Sequence, residues 1–395
     1  MLGYRKRSFA RAHALLQNLR ANLEDLETLR ELQMLLLSEV TRAEEGIREL
    51  KTQLRAIKGV MQTTATRRSE YLNNRIEGFR QCAYIWRCFG DAIAFLYMDK
   101  YALKQCFYNT ETVNAKQDAG FILGKEGLAN ELALLDSALK HEVPAVLVDL
   151  TNTIRHGDLC LMGDSDPWLM EVKTSKRLNK RGKRQKRSLE KLRTFYETDK
   201  CAGLRGFPEL RRKANETPER TYVEQINECI RKAAKDAYAV RQPEQGLHYI
   251  VMTQDGPHLE EALGTLRLKG RVWPFFLNES KSDRTWQPYF PFILTIEDWD
   301  HLWEFIRGNL FIFVFVELDG LCKIARDEGC IATFEGDDSG LCRLHVEVPD
   351  GGKIDISSHM LTRIGLEFVS PRWVVLSALE RVKGAVADVT SSSSR

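Results

Sequence analysis

The sequence predicts an α/β protein with a long N-terminal helical arm, a core of one helix, three strands, a helix and a strand, and a mixed α/β C-terminal region. Three observations predict this class. A regular apolar seam runs through the N-terminal part, short apolar strands lie between helical segments in the middle, and strand-like and helix-like segments alternate beyond them. With 395 residues, 43% hydrophobic and 29% charged, the chain has the composition of a globular protein with two or three modules.

The first segment, residues 1–64, is expected to be a coiled-coil arm. Between residues 8 and 62 there is no proline and glycine occurs only twice, so a continuous helix is expected. Apolar side chains recur alternately every four and three residues, which is a heptad seam, at Leu36, Val40, Ala43, Ile47, Leu50, Leu54, Ile57 and Met61. A seam this narrow needs a partner helix. Two arrangements satisfy it: a homodimer through residues 8–62, which we expect, or a helical hairpin within one chain.

Residues 65–119 are expected to form a helical connector between the arm and the core. This segment is much more apolar than the arm and includes Tyr84, Trp86, Phe89 and Phe95 at helical spacing. An aromatic stripe with this spacing is typical of internal packing. We therefore interpret it as a buried helix and not as a ligand site.

Residues 120–255 contain the predicted core. A helix is expected from Gly124 to Leu139, followed by short strands at Ala145–Leu150, Asp158–Met162 and Leu169–Thr174. The turn-forming sequence 163–167 makes a hairpin of the second and third strands. Further helices are expected at 183–196 and 222–240, and the apolar run 248–253 is expected to be a buried strand. Residues 256–388 are expected to be a mixed α/β region and residues 389–395 a disordered tail.

The residues that carry chemistry lie on the predicted hairpin. Glu171 and Lys173 are two positions apart, so on a strand their side chains project from the same face. The hairpin brings Asp158 on the neighbouring strand close to Glu171. Two adjacent carboxylates repel each other unless a divalent cation lies between them, and oxygen ligands of this kind suit Mg²⁺ or Mn²⁺. Such a metal would polarise a phosphodiester, while Lys173 would position or deprotonate the attacking water.

The pattern Gly157-Asp158…Glu171-Val172-Lys173, after one helix and before another, resembles the PD-(D/E)xK nuclease superfamily. The resemblance covers about residues 122–253 and implies a restriction-endonuclease-like αβββαβ core. It implies that Asp158 and Glu171 bind metal and that Lys173 is catalytic. A metal-binding glutamate on the first helix corresponds to Glu131 or Glu126, and a catalytic glutamine on the helix after the lysine corresponds to Gln185. The chain departs from the family at Gly157, where proline is usual.

A run of basic residues follows the predicted metal site. Between Lys173 and Arg193 the sequence has eleven Lys or Arg residues and one acid, Glu190. Because phosphate contacts dominate nucleic-acid affinity, we expect the basic helix 176–193 to hold the backbone without reading bases. The expected contacts are Lys176, Arg177, Lys180, Arg181, Lys183, Arg184, Lys186 and Arg187. A second basic patch at 205–213 is expected to extend this surface.

Four other side chains are secondary candidates for the site. His156 is either a catalytic base or, as we favour, a structural residue or phosphate contact. Trp168 and Trp273 either stack on bases or, as we favour, pack in the interior. Asp149 is an additional candidate metal ligand if the strand register differs from the expected one.

Cysteine and hydropathy patterns bear on the compartment. The nine cysteines have no CxxC spacing, so neither a zinc site nor a disulfide framework is indicated. No signal segment or membrane-spanning run is found. We therefore expect a cytoplasmic protein that does not bind membranes.

The expected function is a Mg²⁺-dependent endonuclease acting on DNA, with Mn²⁺ able to substitute and RNA as an alternative substrate. The architecture favours an effector of anti-phage defence or restriction. A repair or recombination nuclease and a catalytically inactive nucleic-acid-binding scaffold are the alternatives. The chain has no GxxxxGK[ST] loop, so an ATPase or sensor partner is expected to supply any nucleotide-driven step.

Overall fold

A computed structural model describes residues 3–57, 63–118, 120–172, 180–254, 259–336, 342–349 and 352–393, leaving out the side chains of residues 63–65, 181 and 383–393. The chain divides into two compact units, Met1–Arg212 and Lys213–Arg395, called unit 1 and unit 2 below. Helices and antiparallel strands occur in both units, which confirms the α/β class. Within the described ranges no helix is long and apolar enough to cross a membrane.

Unit 1 combines long helices with two small antiparallel sheets. Its helices are α1 Lys6–Ala21, α2 Leu26–Ile57, α3 Thr63–Tyr97, α4 Lys100–Gln105, α5 Leu128–Lys140 and α6 Lys180–Thr198. Its strands are β1 Ala145–Leu147, β2 Leu159–Leu161, β3 Trp168–Met170, β4 Lys200–Ala202 and β5 Glu209–Arg211. The first three strands form one sheet in the order β1-β2-β3, and β4 pairs with β5.

The apolar seam of the arm is buried inside unit 1. Leu36, Val40 and Ala43 are fully buried on α2, and Ile47 and Leu50 pack against α3. The seam therefore has a partner helix within its own chain, as in the helical-hairpin alternative. A homodimer stays a prediction, but it is no longer needed to cover this seam.

The arm is not one continuous helix. The chain leaves the helical conformation at Asn22 and re-enters it after Asp25. Asp25 explains the restart, because its carboxylate accepts hydrogen bonds from the backbone N–H and the hydroxyl of Thr28 at 2.9 and 2.7 Å. This is the usual N-cap arrangement, which satisfies a backbone donor at the start of a helix. The break between α1 and α2 differs from the continuous helix predicted from the sequence.

The connector forms the buried helix that the aromatic stripe predicted. Trp86 and Phe89 of α3 are fully buried, and Trp86 stacks on Phe9 of α1 with ring centroids 3.8 Å apart. Helix α2 also supports the sheet: the buried amide of Gln33 donates to the Ala145 carbonyl and accepts from the Leu147 N–H, at 2.9 and 3.0 Å. These two bonds satisfy backbone groups at the open edge of β1.

The predicted order of helix, three strands, helix and strand occurs within unit 1, but its last strand is not the predicted one. Elements α5, β1, β2, β3 and α6 are followed by β4, which pairs with β5 and not with the three-stranded sheet. The strand predicted at His248–Thr253 forms as Leu247–Thr253 in unit 2. The predicted core 120–255 therefore spans the division between the units.

Unit 2 is built on a four-stranded and a three-stranded antiparallel sheet. Its helices are α7 Val223–Asp236, α8 Leu259–Gly264, α9 Leu277–Ser282, α10 Phe292–Thr295, α11 Trp299–Arg307, α12 Leu318–Asp327, α13 Ser358–Leu366 and α14 Pro371–Ser393. Its strands are β6 Tyr238–Glu244, β7 Leu247–Thr253, β8 Val272–Phe276, β9 Leu310–Glu317, β10 Ile331–Gly336, β11 Cys342–Glu347 and β12 Lys353–Ile356. The sheet orders are β6-β7-β9-β8 and β10-β11-β12.

Three sequence predictions in unit 2 are corrected. The helix expected over 222–240 ends at Asp236, because Ala237 adopts a left-handed conformation with φ of 67° and the chain continues as β6. The segment 366–369 is not a strand: Leu366 ends α13, and Val369 makes an isolated bridge to Thr221. Helix α14 extends to Ser393, into the tail that was expected to be disordered.

Candidate metal site

Three carboxylates from three separate segments of unit 1 meet at one ammonium group. The Nζ atom of Lys125 lies 2.8 Å from Glu131 Oε1, 2.7 Å from Asp149 Oδ2 and 3.1 Å from Asp158 Oδ1. Glu131 is on the first turn of α5, Asp149 is in the 3₁₀ turn Val148–Leu150 after β1, and Asp158 directly precedes β2. We call Lys125 and these three residues the carboxylate cluster. The Glu131 side chain is 3% exposed, so the cluster is a partly desolvated site.

Strand pairing brings Asp149 and Asp158 together. In the antiparallel pair β1–β2, Leu147 lies opposite Leu159, and the Val148 N–H donates to the Asp158 carbonyl at 3.0 Å. The chain therefore leaves β1 beside the point where it enters β2. Two acids nine positions apart in sequence become neighbours at one end of the sheet.

Helix α3 holds the segment that carries Asp149 through hydrogen bonds. Arg87 Nε donates to the Asp149 carbonyl at 2.9 Å. One turn later, Asp91 Oδ1 accepts from the backbone N–H groups of Asn152 and Thr153, both at 2.8 Å, and Asp91 Oδ2 accepts from Asn152 Nδ2 at 2.8 Å. Between them Gly90 lets the backbone of Leu150 approach the helix closely. The position of Asp149 thus depends on a buried polar contact with α3.

The buried Asp91 is expected to give unit 1 a pH-dependent stability. Burial raises the pKa of Asp91 from 3.8 to about 6, against the opposing effect of its hydrogen bonds to Asn152 and Thr153. The folded chain then holds a proton that the unfolded chain has released, so this contribution stabilises the fold at low pH and is lost as the pH rises from about 4 to about 6. Denaturant unfolding of wild type and Asp91→Asn at several pH values measures it.

The Asp91→Asn variant has no carboxyl at this position. The hydrogen bonds that it loses therefore change its free energy of unfolding by the same amount at every pH. As the pH rises from 4 to 6, we expect the free energy of unfolding of wild type to fall relative to that of Asp91→Asn. Parallel stability curves over this range would contradict the assignment.

Gly157 explains the departure from the usual proline before the aspartate. Its φ of 81° is the left-handed conformation, and a Cβ at this position would lie 2.6 Å from the Met170 carbonyl oxygen. The close approach lets the Asp158 N–H donate to that carbonyl at 2.7 Å, and Asp158 Oδ2 accepts from the Val172 N–H at 2.9 Å. Asp158 therefore links the start of β2 to the residue that follows Glu171.

The electrostatics of the carboxylate cluster follow from its partial burial. Burial alone would lower the pKa of Lys125, but hydrogen bonds to Asp149 and Glu131 outweigh it and raise that pKa. Burial raises the pKa of Glu131, with the neighbouring Lys125 opposing the rise. One ammonium facing three carboxylates leaves an excess of negative charge, which a second or a more highly charged cation would relieve.

The ligand chemistry of the cluster fits a hard divalent cation. Its donors are carboxylate oxygens, which Mg²⁺ and Mn²⁺ prefer. In the described part of the chain, however, no group of three His, Cys, Asp or Glu side chains is arranged to hold a metal ion. The Lys125 ammonium contacts the oxygens that a metal ion would contact. The three carboxylates can therefore bind a metal ion if the Lys125 side chain moves out of the cluster.

The structure places the predicted site residues as follows. Asp158 and Glu131 lie in the cluster together with the additional candidate Asp149, and Glu126 is exposed outside it. Glu171 is half-buried just after β3. Lys173, Lys176 and Arg177 lie outside the described residues, as does the side chain of Arg181.

Helix α6 forms as the basic segment predicted. Gln185 is half-buried on it and makes no hydrogen bond to the three carboxylates, all of which are described. The other predicted contacts on this helix are exposed; they are Lys180, Lys183, Arg184, Lys186 and Arg187. Two members of the second basic patch, Arg205 and Arg212, make internal contacts, whereas Arg211 and Lys213 are exposed. Arg212 is paired with Asp166 and Asp199, and the Arg205 guanidinium stacks 4.6 Å from the Tyr108 ring.

His156 and Trp273 have structural roles, as expected. His156 is 2% exposed, and its Nε2 donates to the Tyr108 carbonyl at 2.9 Å, since a carbonyl only accepts. Burial, helped by Lys116, lowers the pKa of His156 to about 4, so the ring is neutral near pH 7. Trp273 packs against Phe275 at 4.6 Å. Trp168, in contrast, is 46% exposed, so its expected interior packing is wrong.

Sequence reasoning missed Lys125. It lies in the loop before α5, and a single lysine in a loop carries no periodic or motif signal. Comparison with family models, with curated proteins and with solved structures finds no match to this chain. The function is therefore argued from the site alone.

Proposed function

We propose that unit 1 is a metal-dependent endonuclease that hydrolyses phosphodiester bonds of DNA, with Glu131, Asp149 and Asp158 as Mg²⁺ ligands. The observation that carries the proposal is the convergence of these three carboxylates, from three segments, on one cation. The order α5, β1, β2, β3, α6 supports the first five elements of a restriction-endonuclease-like core, whereas β4 pairs with β5 in a separate sheet.

The bound metal ion would act as a Lewis acid towards the scissile phosphate and lower the pKa of a bound water. The chain's own residues hold and orient the reactants. Glu131, Asp149 and Asp158 supply carboxylate oxygens, and the β1–β2 and β2–β3 pairings fix two of them. Glu171 and Lys173 keep the roles of metal ligand and water-positioning group that the resemblance implies. Exposed cations on α6 hold the phosphates on either side of the reacting bond.

A specific observation favours a second candidate, a nucleic-acid-binding scaffold without catalysis. Lys125 already balances part of the carboxylate charge, and an ion-paired cluster of this kind can be purely structural. In that case Glu131, Asp149 and Asp158 would tie α5 to the sheet. The basic surface of α6 would be unchanged, so the two candidates differ in metal dependence and not in binding.

The test is nicking of supercoiled plasmid DNA in Mg²⁺, in Mn²⁺ or in EDTA. We expect cleavage by wild type in either metal, none in EDTA, and a fall to the EDTA level for Asp158→Asn and Lys173→Ala. The matched control is Asp136→Asn, which changes an acid on α5 that pairs with Arg30 on the exposed surface. The control should cleave like wild type. Cleavage by Asp158→Asn at the wild-type rate would refute the site, and binding without cleavage in both metals would favour the scaffold.

A further inference from the structure

A cavity of about 590 Å³ lies between the β2–β3 hairpin and α6. Its apolar wall includes Val143, Leu161, Trp168, Leu169, Leu189 and Tyr196. A volume in the range of 300–1,000 Å³ is typical of small-ligand sites. The cavity is therefore large enough for a planar heterocycle.

Trp168 is the unusual residue of this wall. Nearly half of its surface is exposed, although it lies on a strand and borders an apolar cavity. The Arg193 guanidinium lies 4.4 Å from its ring centroid, so one aromatic contact is already formed by a cation. Exposed tryptophan beside an apolar cavity is characteristic of a binding surface, because its burial on binding recovers a large apolar area.

Both cations that line the cavity are paired, so the cavity suits an uncharged ligand better than a phosphate. Four acids line it against two cations; these are Asp164, Asp166, Glu190 and Glu197 against Lys186 and Arg193. The two cations pair with Glu190 and Glu197. One of the lining acids, Asp166, is paired as well, with Arg212. By contrast, α6 carries no acid between Lys180 and Leu189, where Lys183, Arg184 and Arg187 are exposed. Phosphates are thus attracted to the N-terminal half of α6, and the cavity can bind an uncharged part of the same ligand.

Strand β3 connects the wall of the cavity to Asp158. The Asp158 N–H pairs with the carbonyl of Met170, two residues beyond Trp168 on the same strand. Two residues of strand span about 7 Å, which is about twice the axial rise per nucleotide of a stacked strand. One DNA strand can therefore contact both places.

We propose that this cavity binds an unpaired nucleobase of the DNA strand whose phosphates lie along the N-terminal half of α6, with Trp168 as the stacking surface. This rests on the proposed nuclease function and names its substrate class: DNA with single-stranded or unpaired bases, in preference to intact duplex. Stacking on an aromatic side chain tolerates any base, so the site selects unpaired structure and not sequence.

The experiment measures binding of single-stranded DNA that carries one fluorescent 2-aminopurine, in EDTA so that no cleavage occurs. We expect wild type to quench the fluorescence on binding. Trp168→Ala should lose the quenching and bind about 5- to 100-fold more weakly. Trp168→Phe should keep most of the quenching and most of the affinity, because its ring still stacks on the base. The same oligonucleotide annealed into a duplex should not be quenched. A strand with an abasic position in place of the fluorescent base should bind wild type as weakly as the intact strand binds Trp168→Ala.

Tyr71→Ala is the matched control. Tyr71 is 56% exposed and has the Arg75 guanidinium 5.5 Å from its ring, but it lies on α3 and does not line the cavity. It should bind DNA like wild type. Equal quenching and affinity in wild type and Trp168→Ala would overturn the nucleobase site, and plasmid nicking by wild type would then still stand as support for the nuclease. Absence of any DNA binding by wild type would overturn the nucleobase site as well.

Discussion

Replacing Gly90 with alanine is expected to lower the free energy of unfolding of unit 1 by about 3 kcal/mol. A Cβ at Gly90 would lie 1.8 Å from the carbonyl oxygen of Leu150. This is a clash with backbone and not with the end of a flexible side chain, so either α3 or the segment after β1 must move. The gain of about 1 kcal/mol that alanine normally brings to a helix interior is too small to offset it.

The clash has a consequence for the site as well as for stability. Leu150 follows Asp149 directly, and the next residues are held by Asp91. A shift of this segment away from α3 would therefore move the Asp149 carboxylate out of the cluster. We expect Gly90→Ala to lose metal-dependent nicking even at temperatures at which the variant remains folded.

Urea unfolding followed by circular dichroism, together with the nicking assay, checks both results. Gly320→Ala is the control, because Gly320 lies in helix α12 and an added Cβ would find no atom closer than 3.9 Å. It should be neutral or slightly stabilising. If Gly90→Ala were as stable as this control, the close approach of Leu150 to α3 would not exist in the protein.

The carboxylates could be found from sequence because their positions follow from local rules. The turn formers 163–167 and the apolar strands around them predict the hairpin, and the hairpin carries Asp158 towards Glu171. Glu131, together with the alternative Glu126, was a candidate only because the resemblance to the nuclease superfamily implies a glutamate on the first helix. Lys125 could not be found in this way, because its loop has no periodicity and its contacts depend on how that loop folds over α5. Its role is set by tertiary structure alone.

The larger organisation was harder to predict because the same local pattern fits several partners. The heptad seam of α2 specifies that an apolar face must be covered, but α3 and a second chain would satisfy it equally. The apolar run of β7 likewise indicates a central strand, but it does not specify the sheet to which that strand belongs. It pairs with β6, which directly precedes it, and with β9, from which β8 separates it along the chain. The β6–β7 pair is sequence-adjacent, which is the commoner outcome.

Replacing Lys125 with methionine is expected to separate the two candidate functions. Without metal the variant leaves three carboxylates, one of them buried, facing each other with no ammonium between them. Removing one partner of a buried ion pair costs about 3 kcal/mol, so Lys125→Met should be less stable than wild type in EDTA by this amount. The Lys323→Met variant is the control: its pair with Asp327 has the same 2.7 Å distance as Lys125 with Asp149 but is exposed, and its loss should stay below about 1 kcal/mol.

Addition of Mg²⁺ or Mn²⁺ then decides what the cluster is. If the carboxylates are metal ligands, the cation replaces the lost ammonium, and at a metal concentration of 100 times Kd the variant should regain about 2.7 kcal/mol. Wild type should gain less under the same conditions, because its own ammonium competes for the same oxygens. Thermal unfolding in EDTA and in a metal series measures both gains without reference to cleavage. Equal stability of Lys125→Met with and without metal would mean that Lys125 is a permanent part of a structural ion cluster, and the nuclease proposal would lose the observation on which it rests.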